Sequence, residues 1–479
     1  MATLEASDRR APVQSVVTHL TRAERAARGK AARKEVPRQA HAELDSGAAR
    51  PDPLALLEEQ AESRLSNLVP IRYGRMLASP FAFFRGAALV MASDLSRTPA
   101  SGLRVQACGD AHLANFGVFG SPERRLVFDI NDFDETLPGP WEWDVKRLAA
   151  SFEVAGRDNA FSDAQRRETV LRVVRRYRET MNEFAGMRNL EVWYASLDVE
   201  RLVADAQAMV PRKAVMKAEK NIAKARTRDS MQALAKLTEV VDGEPRIRSE
   251  PPLIERIDDL FPGVTADQIS EWAHERLREY RRSLQHDRRR LLEQYRFVDL
   301  ARKVVGVGSV GTRCWIGLML GVDNEDPLFL QIKEAQPSVM ERFVGRSVYR
   351  NAGHRVVAGQ RLMQTASDIF LGYQSVQDPE GITRDFYWRQ LRDWKGSAEL
   401  DGMHPAAMGV YADMCGWTLA RAHARTGDRI AIAAYLGRGD VFDRAVADFA
   451  AAYADLNQRD HAALQAAVDT GRREARTGI

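Results

Sequence analysis

The spacing of apolar and polar positions divides the first part of the chain into helical and strand-forming stretches. Apolar residues recur at helical intervals in DPLALLEEQAESRLSNL and SPFAFFRGAALVMASDL, which predicts helices over 51–100. LRVQACGD then predicts a short strand that runs into a loop. NFGVF and RLVFDIN flank a Ser-Pro-Glu turn and predict a β-hairpin, and WEWDVKRLAASFEVA returns to helical spacing.

The second part repeats this change of period. Residues 163–300 are rich in Arg and Lys and predict a large, mostly helical insert. KVVGVG, CWIGLML and LFLQIKEA predict strands over 301–335, a helix is expected around 339–364, and DIFLGYQSV and RDFYWRQL predict a hairpin about DPEGIT. Alanine-rich helices follow from Pro405. These alternations predict an α+β fold.

Four regions follow from these patterns. Residues 1–50 form a basic, polar arm that we expect to be mobile or loosely docked. Residues 51–300 form a helical unit, 301–395 a small β-rich unit, and 396–479 helices that complete the helical unit.

Composition narrows the class of protein. Apolar residues make up 45% of the chain and charged residues 28%, as in ordinary folded proteins. No apolar run approaches the roughly 18 residues of a membrane span, and the N-terminus lacks the apolar core of a secretory signal, so no membrane partner is expected. Three widely spaced cysteines argue against disulfides or a thiolate zinc site and fit the cytoplasm.

The charge balance gives little support for a nucleic-acid partner. The chain has 70 basic and 66 acidic residues, a formal net charge of +4. Basic residues cluster at 213–228 and 278–290, but charge runs at helical spacing are typical of solvated helix faces. Nucleic acid is therefore not an expected partner, although an anionic substrate would also fit these helices.

Six polar residues that suit metal and proton chemistry crowd into CGDAHLANFG and LVFDINDFDET. Asp and Asn oxygens are hard ligands suited to Mg²⁺, and a loop carboxylate can accept the proton of an attacking hydroxyl group. The predicted hairpin would return Asn115 and Asp132 to the same strand end. The alternative is a polar loop whose side chains cap turns. The six residues are Asp110, His112, Asn115, Asp129, Asp132 and Asp134.

A glycine-rich segment and a lysine add phosphate-binding potential. Gly306, Gly308 and Gly311 form a GxGxxG pattern, which is weak evidence alone. Strand-like sequence on both sides favours a hairpin over phosphates, whereas a following helix would favour a dinucleotide fold. Lys333, in LFLQIKEA, could reach a phosphate, and the alternative is a surface lysine on an edge strand. In TLARAHART, His423 is expected to be a core histidine.

Together these segments resemble the aminoglycoside-phosphotransferase-like branch of the protein-kinase fold. GDAHLAN resembles the catalytic loop, with Cys108 in place of a leading His. IND-FD resembles the metal-binding exit of the hairpin, WDVKRLA the helix that braces the loop, and LARAHA the helix that normally precedes it. Because the glycine hairpin and the lysine strand come after the catalytic loop here, we expect a circularly permuted, two-lobed kinase-like fold.

The resemblance implies an ATP-dependent phosphotransferase that uses Mg²⁺ and acts on a hydroxyl-bearing small molecule or protein. It also implies roles for individual residues. In the catalytic loop, Asp110 would be the catalytic base and His112 a second catalytic residue. The other roles are Asn115 and Asp132 as Mg²⁺ ligands, with Asp129 or Asp134 as alternatives; Gly306, Gly308, Ser309 and Gly311 over the phosphates; Lys333 paired with them; Glu341 as the acidic partner of Lys333; Asp144 as a structural brace; and an adenine-binding hinge near 392–395. The helical insert is expected to shape the acceptor site.

From about residue 20 onward the chain also resembles a bacterial family catalogued as domain of unknown function 2252. PIRYGRM, SPFAFFRG, CGDAHLANFG, FDINDFDETLPGPWEWDVKRLAAS and QRLMQTASDIFLG carry that resemblance. It implies no particular substrate.

Two other functions remain open at this point. Asp132-Phe133-Asp134-Glu135-Thr136 fits the DxDxT pattern of metal-dependent phosphatases, with a downstream acidic pair at Asp258-Asp259. That interpretation leaves the glycine-rich segment unexplained. The third possibility is a kinase-like nucleotide-binding scaffold without catalysis, because a fold does not guarantee an activity.

Overall fold

The computed structural model describes residues 19–47, 49–206, 212–378, 381–391 and 393–479, and it has a mixed α/β architecture. Three 3₁₀ turns lie at Arg38–Ala42, Ser66–Leu68 and Leu113–Asn115. The α-helices are α1 (Arg22–Glu35), α2 (Pro53–Glu62), α3 (Val69–Met76), α4 (Pro80–Gly86), α5 (Ala88–Leu95), α6 (Trp141–Asp158), α7 (Asp163–Gly186), α8 (Asn189–Tyr194), α9 (Val199–Ala206), α10 (Arg212–Arg226), α11 (Ser230–Leu237), α12 (Ile257–Leu260), α13 (Ala266–Arg281), α14 (His286–Leu292), α15 (Glu341–Val344), α16 (Ala352–Met363), α17 (Pro405–Thr426), α18 (Arg429–Leu436) and α19 (Val441–Asp469).

Within the described residues, the strands form four antiparallel sheets. Their orders are β1-β4, β14-β2-β3-β5, β6-β7 and the six-stranded β12-β13-β11-β10-β9-β8. The strands are β1 (Arg104–Ala107), β2 (Phe116–Gly120), β3 (Leu126–Ile130), β4 (Leu137–Pro140), β5 (Leu197–Asp198), β6 (Thr238–Val241), β7 (Glu244–Ile247), β8 (Ile254–Arg256), β9 (Arg296–Lys303), β10 (Cys314–Leu320), β11 (Pro327–Ala335), β12 (Gly372–Gln377), β13 (Thr383–Gln390) and β14 (Gly396–Ser397).

The predicted hairpins are confirmed. β2 pairs with β3 and β12 with β13, each antiparallel, and the two predicted strands β10 and β11 also pair antiparallel. The glycine-rich segment joins β9 to the antiparallel β10, so it is a hairpin and not the strand-to-helix turn of a dinucleotide fold.

The six-stranded sheet is covered on both faces. On its outer face Tyr280 of α13 stacks on Trp388, with ring centroids 4.3 Å apart. On the other face, Leu318 and Phe329 belong to a cluster that includes Leu237 of α11. The strand alternation that places these residues on opposite faces also directs Lys333 to the face of Phe329.

The prediction of a mostly helical stretch over 163–300 is confirmed, although short strands that the sequence did not predict interrupt it. Residues 238–247 form the β6–β7 hairpin, and β8 and β9 begin at Ile254 and Arg296. Asp242 and Gly243 have φ angles of 52° and 81°, which suit a tight two-residue hairpin turn. The sequence contains the Asp-Gly pair that is typical of such turns, but the charged residues around it favoured the prediction of a helix.

The helices pack into one large core around α6, α7, α17 and α19. Trp141 of α6 is fully buried and stacks on Tyr177 of α7 at 5.7 Å. The described part of the N-terminal arm also joins this core, contrary to the expected loose docking. Gly29 of α1 meets the backbone of Ala431 on α18, and the buried His41 hydrogen-bonds to Tyr435. Residues 1–18 and 48 lie outside the described residues.

Every helix within the described residues is too short or too polar to span a membrane.

Candidate functional site

Asp144 of α6 holds the loop at Cys108–Asn115 in place through hydrogen bonds to its backbone. The Asp144 carboxylate accepts hydrogen bonds from the backbone N–H groups of Cys108 (2.6 Å) and Gly109 (2.9 Å). His423 lies fully buried, 3.1 Å from Asp144 through Nε2, and its Nδ1 is 2.9 Å from the Tyr177 hydroxyl. Asp144 is therefore a brace and His423 a core histidine, as the sequence predicts.

Gly109 is required for this conformation. Its φ is +83°, and a Cβ atom added there would lie 2.3 Å from the carbonyl oxygen of Glu135. Both the left-handed backbone and the close approach of two chain segments favour glycine. The loop can therefore pass directly under the Asp132–Thr136 segment.

Asp110 faces a cavity and is oriented by Arg147. The Arg147 Nε lies 2.5 Å from Asp110 Oδ1, and the side chain of Asp110 is 21% exposed. Burial raises the pKa of Asp110 above its usual value, although the charges of Arg147 and Arg85 oppose that rise. A carboxylate with a raised pKa is a stronger proton acceptor once ionised.

His112 packs behind Asp110. Its Nε2 is 3.9 Å from Asp110 Oδ2, and burial, reinforced by the nearby charge of Arg147, holds its pKa well below the usual value. The imidazole is therefore neutral near pH 7.

The β2–β3 hairpin brings Asn115 and Asp132 to one end, as the sequence predicts. Asn115 Nδ2 donates to the Asp110 carbonyl oxygen at 2.8 Å, and the Asn131 N–H donates to the Asn115 carbonyl oxygen at 2.8 Å. The amide orientation leaves Asn115 Oδ1 as a ligand atom.

Lys333 joins the two parts of the site. Its Nζ lies 2.5 Å from Asp134 Oδ2 and 3.7 Å from Asp132 Oδ2, with only 3% of its side chain exposed. Tyr387, opposite Lys333 in the sheet register, donates its hydroxyl to Asp134 Oδ1 at 2.6 Å. Lys333 is therefore not a surface residue of an edge strand.

The pKa values of the two acids in the Asp-Phe-Asp segment shift in opposite directions. Burial raises the pKa of Asp132, and the negative charge of Asp134 raises it further against the opposing effect of Lys333. Burial would also raise the pKa of Asp134, but the Lys333 charge and the hydrogen bonds from Lys333 and Tyr387 outweigh it and leave the pKa lowered. Asp134 thus serves as the counter-ion of Lys333, and Asp132 is left facing the cavity.

Asp129 and Glu341 have other partners. The Asp129 carboxylate is fully buried, binds Arg421 at 2.5 Å and accepts the Thr365 N–H at 2.8 Å, away from the cavity. Glu341 accepts from the Ser338 N–H and lies 3.9 Å from Arg355. The acidic partner of Lys333 is Asp134, so the prediction of Glu341 for that position is corrected.

The glycine-rich hairpin is held against the N-terminal helices. Gly306 and Gly311 have positive φ angles of 65° and 90°. The Gly306 carbonyl oxygen accepts from Arg75 at 2.6 Å, and the Gly311 carbonyl oxygen accepts from the Leu65 N–H at 2.8 Å. Ser309 Oγ approaches Asp134 Oδ2 at 3.5 Å.

These elements enclose one cavity of about 660 Å³, within the usual range for small-ligand sites. Its outer wall comes from residues 59–89 and 334–346, and no described residue of the helical insert lines it, contrary to the expected role of the insert. The predicted site residues that line it are Asp110, His112, Asn115, Asp132, Asp134, Gly306, Gly308, Ser309 and Glu341.

The predicted adenine-binding hinge does not contribute to this cavity within the described residues. Arg392 lies outside them. Lys395 donates to the Gln390 carbonyl oxygen at 3.2 Å, and burial lowers its pKa to about 7. Between this segment and Lys333, Arg389 donates to Gln331 Oε1 at 3.0 Å and to the Asn131 carbonyl oxygen at 3.1 Å.

Several residues of the site escape sequence reasoning. Arg147 lies three positions after Asp144 on α6, and this helical spacing could have identified it. Arg355 of α16 donates to the carbonyl oxygens of Asp134 (2.8 Å) and Thr136 (2.7 Å), a tertiary contact without a local signal. Glu135 faces the cavity, and burial raises its pKa to about 7.

The protein oxygens at this cavity could supply only part of the coordination shell of Mg²⁺, so water or phosphate oxygens would have to supply the rest. No group of three or more His, Cys, Asp or Glu side chains converges on a metal position among the described residues. Asn115 and Asp132 offer one amide and one carboxylate oxygen at the cavity. Mg²⁺ commonly binds one or two protein oxygens and completes its shell with water and phosphate oxygens.

A larger cavity lies elsewhere. It measures about 710 Å³ between the outer face of the six-stranded sheet and α13, and its lining is mostly aromatic and aliphatic. No predicted site residue is among the described residues that line it. By size alone this cavity would be the candidate functional site. The polar residues that can perform chemistry, however, converge on the smaller cavity.

Comparison with known proteins identifies the family. Residues 64–467 match the model of a family described as "Uncharacterized protein conserved in bacteria (DUF2252)". The chain belongs to this family. No curated protein and no solved structure matches the chain.

Proposed function

We propose that this member of the DUF2252 family is an ATP-dependent phosphotransferase that transfers the γ-phosphoryl group to a hydroxyl-bearing acceptor. One observation carries the proposal. Gly306, Gly308 and Ser309 line one cavity together with Asp110, Asp132 and Asp134, and Lys333 joins these two parts of the chain through its ion pair with Asp134, from which 199 residues separate it. Such convergence of distant segments is expected of a functional site, not of chance surface polarity.

The local arrangement supports a circularly permuted kinase-like fold as part of the proposal. In protein kinases a catalytic Asp precedes a metal-binding Asn by five positions, and the phosphate-binding lysine lies on the third strand. Asp110 and Asn115 have that spacing, and Lys333 lies on β11, the third strand from the start of β9. Asp144, His423 and α17 support the loop as bracing elements do.

The proposed reaction assigns a task to each side chain. The acceptor oxygen forms a bond to the γ-phosphorus while the bond to the bridging oxygen breaks, and ADP keeps that electron pair. Asp110 takes the proton of the acceptor hydroxyl, and Arg147 holds Asp110 in place. Asn115 and Asp132 would hold Mg²⁺, which supplies positive charge to the phosphate oxygens.

Thermal unfolding with Mg²⁺ and ATP tests the proposal. We expect ATP to raise the melting temperature only when Mg²⁺ is present, and we expect Lys333→Met and Asp132→Asn to lose the rise. Arg125→Gln, an exposed change outside the cavity, is the matched control and should keep it. No nucleotide effect on the wild type would contradict the proposal.

Two results would favour the other functions. Phosphomonoester hydrolysis that collapses in Asp132→Asn, without any response to ATP, would indicate a phosphatase. Nucleotide binding without turnover over a broad acceptor panel would indicate a scaffold.

A further inference from the structure

Arg85 of α4 is a half-buried cation whose side chain has no ion pair among the described residues. Its Nε is buried without a hydrogen bond, and no ion pair joins it to another described residue. The Phe81 ring lies 6.0 Å from its Cζ, and Arg85 lines the cavity that also contains Asp110. The charge of Asp110 acts on this partly desolvated guanidinium only from beyond ion-pair distance, so the position suits an added anion.

The backbone of Arg85 is fixed between the two halves of the site. The Phe84 carbonyl oxygen accepts from Arg147 at 3.1 Å, and Arg147 is the residue that binds Asp110. On the other side, the Arg85 carbonyl oxygen lies 3.3 Å from the position of a Cβ atom on Gly308. Arg85 thus adjoins both the proton acceptor and the loop proposed to cover the phosphates.

The other cations at or beside the cavity are paired, bonded elsewhere or exposed. Arg64 donates to the Val310 carbonyl oxygen at 2.5 Å, and Arg346 is exposed at the rim. Lys333 pairs with Asp134, and Arg342 pairs with Glu59 at 3.0 Å. Arg147 is committed to Asp110. Arg85 is therefore the cation best placed to meet negative charge that a bound group brings between Gly308 and Asp110.

We propose that Arg85 binds the phosphoryl group in transit between the nucleotide and the acceptor. This inference rests on the proposed function. The γ-phosphorus–oxygen bond to ADP breaks as the acceptor oxygen bonds to phosphorus, and the hydroxyl proton passes to Asp110. Arg85 keeps its proton and neutralises charge on the equatorial phosphoryl oxygens. An arginine in this position accelerates phosphoryl transfer in other enzyme classes.

A transition-state mimic tests this role without a known acceptor. Thermal unfolding is measured for the full chain alone, with Mg·ADP, and with Mg·ADP plus aluminium fluoride. We expect aluminium fluoride to raise the wild-type melting temperature beyond the Mg·ADP value. Arg85→Gln should keep the Mg·ADP rise and lose the additional one, and Arg85→Lys should keep part of it.

Controls separate the possible failures. Arg346→Gln removes an equal charge from an exposed position at the rim and should keep both rises. Slow ATP hydrolysis should fall at least about 100-fold in Arg85→Gln. An equal aluminium fluoride increment in Arg85→Gln and the wild type, or none in the wild type, would overturn the role of Arg85. A wild type that does not respond to Mg·ADP would contradict the proposed function itself.

Discussion

Removing the charge of Lys333 should destabilise the protein because its two partly buried partner acids would then lie close together without a counter-ion. Lys333 contacts Asp134 at 2.5 Å and Asp132 at 3.7 Å. Breaking a buried ion pair from one side costs about 3–5 kcal/mol. The side chain of Asp134 is 29% exposed to solvent, and it would keep its hydrogen bond from Tyr387. We therefore expect Lys333→Met to lower the free energy of unfolding by about 3 kcal/mol, the lower end of that range.

A double-mutant cycle isolates the pair. Urea unfolding at pH 7.5 is measured for the wild type, Lys333→Met, Asp134→Asn and the double variant. Because the double variant leaves neither partner unpaired, it should be more stable than the sum of the single effects predicts, by about 2 kcal/mol. Strict additivity within about 0.5 kcal/mol would refute the assignment of Asp134 as the counter-ion of Lys333.

Three further predictions concern the loop and its surroundings. Since the folded state raises the pKa of Glu135 from 4.5 to about 7, it binds the extra proton, and stability should fall by on the order of 2–3 kcal/mol as pH rises from about 4.5 to 7. In urea unfolding at pH 5 and pH 8, Glu135→Gln should reduce the difference in the free energy of unfolding between the two pH values. A difference equal to that of the wild type would contradict the raised pKa. Gly109→Ala should cost more than Gly102→Ala in the same assay, because both have positive φ but only the first meets a neighbouring backbone, and equal losses would argue against the close contact. Asp144→Asn should cost about 1–3 kcal/mol, since its amide can no longer accept both loop N–H groups, and wild-type stability would contradict the brace.

Local patterns predicted much of the architecture. Alternating and helical spacings identified the strands of the β2–β3, β10–β11 and β12–β13 pairs and most helices, because each element buries one face within a few residues of sequence. The β6–β7 hairpin escaped prediction because charged neighbours suggested helix. The docking of α1 also escaped, because small residues such as Gly29 and Ala32 carry a contact that apolar periodicity does not register.

The site was predictable in its residue types but not in its pairings. Asp110, Asn115, Asp132 and Lys333 follow from motif and spacing. The choice of Asp134 as the partner of Lys333, and of Asp129 as a buried partner of Arg421, depends on contacts across 199 and 292 residues of sequence. Arg85 could not be predicted from the sequence, because no local pattern marks a cation that has no ion pair among the described residues.

Turnover of ATP by the wild type and Asp110→Asn tests the central claim most directly. Formation of ADP is measured with and without Mg²⁺, first with water as the acceptor and then over a panel of hydroxyl compounds and proteins. A site of this construction should form ADP only with Mg²⁺, and the rate should fall by about 10²–10⁴-fold in Asp110→Asn while Mg·ATP still raises its melting temperature. ADP formation that is equal in the two proteins, or absent from a wild type that binds Mg·ATP, would contradict the claim.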